Sequence, residues 1–113
     1  MTRIDVEALR LAHLAALVVE RGTYDAYRRA CLAAAHALMA LGRTWDDTPE
    51  CIQARAALHV AGLAEHIAYA GYLQVAHERH EAYVAWQDAS VELYQQGHAR
   101  QRTAPRLALK LTA

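Results

Sequence analysis

Seven histidines in 113 residues are the first side chains here able to do chemistry. Four of them, His59, His66, His77 and His80, fall on adjacent helical stripes with Ile52, Leu63, Leu73 and Val84, a placement that predicts half-buried imidazoles. Neutral imidazole ligates zinc, copper and iron well, so a metal- or cofactor-binding helical bundle built on this stripe is one reading of the chain. The tightest grouping is His77-Glu-Arg-His80-Glu81, which makes His77, His80 and Glu81 the candidate metal ligands. Its spacing argues against a dedicated centre. The H-E-x-x-H zinc motif needs histidines four apart, whereas these are three apart, and the Glu-x-x-His repeat of carboxylate-bridged di-iron bundles does not occur. No metal, cofactor or catalytic residue is therefore assigned.

Nucleophiles are equally scarce. No G-x-S-x-G, phosphate-binding glycine loop or paired C-x-x-C is present. Cys51 is the one candidate on electrostatic grounds, because a thiol in the first turn of a helix feels the positive end of the dipole, but nothing identifies its base. Glu78 and Glu81 share a helical face without facing acids to complete a magnesium site, since Glu20, Asp46 and Asp47 fall near helix ends or in a loop. Length and helix count are similar to hemerythrin, the di-iron oxygen carrier. Only His77-x-x-x-Glu81 matches its histidine-glutamate pair, its paired H-x-x-x-H is missing, and its ligands are not carried over. His36, in Ala35-His36-Ala-Leu-Met39-Ala40, loosely resembles the histidine helix of bacterial phosphotransfer domains. Met39 and Ala40 stand where that family has the lysine and glycine that neutralise phosphate and admit the partner, so His36 is expected to be a core histidine.

The elements that would position these residues are legible as helices. Twenty-six alanines, five glycines and two prolines with 55% apolar residues exclude collagen, linker and disordered classes and predict one all-α domain. Thr2 or Asp5 can cap a helix to about Arg21, with Gly22 as its stop. Thr23 can then cap a second helix to about Leu41, stopped by Gly42. After the loop Arg43-Thr-Trp-Asp-Asp, Thr48-Pro49-Glu50 supplies an N-cap, a first-position proline and an acid at the positive dipole end. From Pro49 to about Gln96 no proline or turn cluster intervenes, which permits about 72 Å of helix against about 27 Å for each preceding one. A break near Gly71 or near His77–His80 would resolve the mismatch and give an antiparallel four-helix bundle. A straight segment would instead pair its distal half with a second copy, making a homodimer.

Sorting the long segment by sevens gives a small-residue series, Ala54, Ala61, Ala68, Val75, Ala82 and Ala89, matched by Ala26, Ala30, Ala33, Ala37 and Ala40. A second series, Leu58, Tyr69, Tyr72, Tyr83, Trp86 and Leu93, is large and aromatic, and only Gln53, Val60, Ile67, Gln74, Glu81, Asp88 and Gln95 read as mostly solvated. A helix apolar over so much of its circumference is central in a fold or half of an interface.

Twelve basic residues balance twelve acidic ones, which removes the field of a dedicated nucleic-acid binder. The charge is segregated: residues 99–113 form a basic tail after a helical domain over 1–98, and Arg100, Arg102, Arg106 and Lys110 put +4 on residues 97–113. Nucleic-acid contact through that tail is a third and weaker reading. The opening Met-Thr-Arg-Ile-Asp-Val-Glu carries acids where a signal peptide needs an apolar core, and no apolar run reaches membrane-spanning length. A cytoplasmic protein without membrane contact, its two cysteines reduced, is expected, and the alanine and arginine excess suggests a GC-rich bacterial or phage origin. By elimination the chain reads as a non-enzymatic protein that binds another protein, as an adaptor, inhibitor, immunity factor or accessory subunit. The aromatic anchors Trp45, Tyr83 and Trp86 with Arg79 are the candidate contact residues, and six tyrosines with no phenylalanine suit an interface.

Overall fold

The computed structural model describes residues 2–112, with side chains described for residues 2–101. It is all-helical: α1 spans Arg3–Gly42 and α2 spans Pro49–Thr112. The helix ends follow the expected chemistry. Thr2 Oγ1 accepts from the Asp5 N–H at 3.2 Å while the Asp5 carboxylate accepts from the Thr2 N–H at 2.9 Å, a reciprocal cap. Thr48 Oγ1 accepts from the Cys51 N–H at 3.1 Å and opens α2 at Pro49. α1 closes at Gly42 through the Arg43 and Thr44 N–H groups on the carbonyls of Ala40 and Leu41, without a left-handed glycine. The left-handed residue is Asp47, at φ 63°, in the connecting loop.

Two expected interruptions are absent. Gly22 does not stop α1 and Thr23 does not cap a new helix: no glycine has positive φ, and Thr23 Oγ1 donates back to the carbonyls of Glu20 (2.9 Å) and Val19 (3.3 Å). Nor does α2 break at Gly71 or at His77–His80. The four-helix count is thereby corrected to two long helices. The reason lies in seam phase. The least exposed residues of α1 recur at Val6, His13, Glu20, Tyr27, Ala34 and Leu41 and at Leu9, Ala16, Thr23, Ala30 and Ala37, so the seven-residue period runs unbroken through Gly22. On α2 the same holds for Cys51, Leu58, Glu65, Tyr72, Arg79, Trp86 and Leu93 and for Ala54 through Ala89. One helical glycine costs about 1 kcal/mol relative to alanine, less than a turn that would take Tyr27 or Tyr72 out of the seam.

The chain divides into two compact units, Leu17–Glu78 and the pair Met1–Ala16 with Arg79–Ala113. The Leu17–Glu78 unit is a helical hairpin around the 43–48 loop. Tyr24 meets Tyr72 at 5.5 Å and Tyr27 meets Tyr69 at 5.2 Å, an antiparallel register. These contacts set the two flanks of the hairpin. One flank is aromatic, with Tyr24 and Tyr69 beside the seam. The other presents Ala26, Ala33 and Ala40 of α1 beside Ala57, Ala64 and Gly71 of α2. In the other unit the N-terminal end of α1 lies against α2, centred on His13. The backbone of the basic tail is helical to Thr112, but Arg102, Arg106 and Lys110 lie outside the described side chains.

Candidate functional site

The histidine stripe gathers nothing. His59, His66 and His80 stand one or two heptads apart on α2, so successive imidazoles are separated by about 10 to 20 Å of helix rise. All four of His59, His66, His77 and His80 are exposed rather than half-buried, and His36 is exposed rather than core. Among the described residues no three His, Cys, Asp or Glu side chains come together as a metal site, and His77, His80 and Glu81 are no exception. The histidine that the fold does bury is His13, 7% exposed. Its ring stacks on Trp86 at 5.5 Å and tilts against Tyr83 at 5.3 Å, with Nδ1 lacking a hydrogen-bond partner among the described residues. Its spacing of seven from Val6 and Glu20 was the available signal, and it is visible once the seam phase is known.

Cys51, 2% exposed, is buried in the first turn of α2. Cys31 is half-buried and both thiols are free. A hydrogen bond with Cys31 raises the Tyr27 phenol above the usual tyrosine range, helped by the electrostatic effect of the same neighbour and by desolvation. Near the N-terminus, the Thr2 hydrogen bonds lower Asp5 and the Arg10 guanidinium lowers Glu7, both ordinary surface pairs.

The candidate contact residues divide between the two units. Trp45 lies in the 43–48 loop with 83% of its surface exposed, and its carbonyl accepts from Thr48 Oγ1 at 2.7 Å. Tyr83 and Trp86 pack edge to face at 6.2 Å around His13, with Arg79 half-buried a turn earlier. Trp86 is therefore more a seam residue than a free anchor.

The larger surface is one that no motif marked. Among the described residues the buried apolar side chains are Cys51 and Ala89 alone, while large apolar residues along both helices are exposed, Ile4, Ile67, Tyr94 and Val18 most heavily. On the aromatic flank an open groove of about 250 Å³ is lined by Leu17, Glu20, Arg21, Tyr24 and Tyr72. That flank carries Arg21, Arg28 and Arg55 on its helices, with Glu20 in the lining of the groove. The alanine flank carries Arg29 on α1 and Glu50 and Glu78 on α2. Among the described residues no helix is long and apolar enough to cross a membrane, so these faces are not a bilayer span. Comparison with protein-family models, curated proteins and solved structures gave no match.

Proposed function

We propose that the protein is non-enzymatic and acts by binding other protein through the helix faces that its own seam leaves uncovered, with Trp45 as an anchor at the loop end. The observation that carries this reading is the inversion of burial: among the described residues two apolar side chains are enclosed, against apolar side chains such as Val18, Leu32, Val60 and Ile67 more than half exposed. Exposed apolar patches beyond a few hundred Å² mark interaction sites in soluble chains, and indole anchors concentrate binding energy. Catalysis has no comparable support, because the one candidate nucleophile, Cys51, is enclosed and, among the described residues, no three His, Cys, Asp or Glu side chains gather.

The test uses labelled chain at nanomolar concentration, sedimented in buffer and in extract of its source cell. The reading predicts a faster-sedimenting species in extract, reduced by Trp45→Ala. A sedimentation coefficient identical in extract and buffer would contradict it.

A further inference from the structure

We draw no further inference here: the strongest candidate, the exposed apolar surface of the Leu17–Glu78 hairpin around Val60 and Ile67, carries nothing beyond the binding already proposed, because nothing in the structure shows what covers it.

Discussion

Replacing Gly71 by alanine tests the open helical geometry of the hairpin at that position. In the chain alone the change is favourable: position 71 is helical, the new Cβ meets nothing within 4 Å, and alanine exceeds glycine in helix propensity by about 0.8 to 1.0 kcal/mol. Gly22→Ala adds a similar amount on α1, so the pair should stabilise the dissociated hairpin by about 1.6 to 2 kcal/mol. Urea denaturation followed by circular dichroism reads the effect as a rise in the free energy of unfolding. A variant that loses stability as a dissociated chain would refute the open geometry at Gly22 and Gly71.

Other perturbations test the hairpin itself. Thr48→Ala removes the cap on the Cys51 N–H and should cost about 1 kcal/mol in urea denaturation; a loss below about 0.3 kcal/mol would show that the cap contributes little. Asp47→Gly relieves a left-handed residue and should be neutral or stabilising by up to about 1 kcal/mol, whereas Asp47→Val should destabilise by about 1 to 2 kcal/mol, and equal stabilities would contradict the loop geometry. Tyr27, raised chiefly by its Cys31 hydrogen bond, contributes stability that is present below the ordinary tyrosine pKa near 10 and lost as pH rises through its raised value. Absorbance at alkaline pH should therefore show a late-titrating phenol that moves earlier in Cys31→Ala, and superimposable curves would contradict the pairing. Asp5, lowered by Thr2, stabilises the start of α1 above the ordinary aspartate pKa and loses that contribution as pH falls through its lowered value, so hydrogen exchange near residue 5 should quicken selectively in strong acid.

The all-helical class and the strong helix start at Thr48-Pro49-Glu50 were readable because capping chemistry is local: a hydroxyl, a proline and an acid act within one turn. The connectivity was not, because Gly22-Thr23 and Gly71 read locally as stops while seam phase, a property of six or seven turns, carries both helices through them. The small series on α2 and part of the aromatic one turned out to be the two rows of one stripe, Ala54 to Ala89 beside Leu58, Tyr72, Trp86 and Leu93, whereas Tyr69 and Tyr83 lie outside it and are exposed. Sorting α1 in the same way would have exposed His13 as a seam residue. The histidine stripe misled because shared apolar neighbours along a helix do not bring imidazoles together; only a facing helix can, and here none presents its ligands. Val60 and Ile67 read as solvated by position, and they are exposed, yet their chemistry asks for cover that one hairpin does not provide.

The central claim, that one chain makes more apolar helix than it can enclose, is tested most directly by helical signal on dilution. Circular dichroism of the purified protein, followed from high micromolar to low nanomolar concentration, should show helicity and midpoint of thermal unfolding falling together as the covering partner is lost. Full helicity with a concentration-independent midpoint over that whole range, together with a sedimentation coefficient unchanged in cell extract, would mean that the single chain stands alone, and would contradict the account.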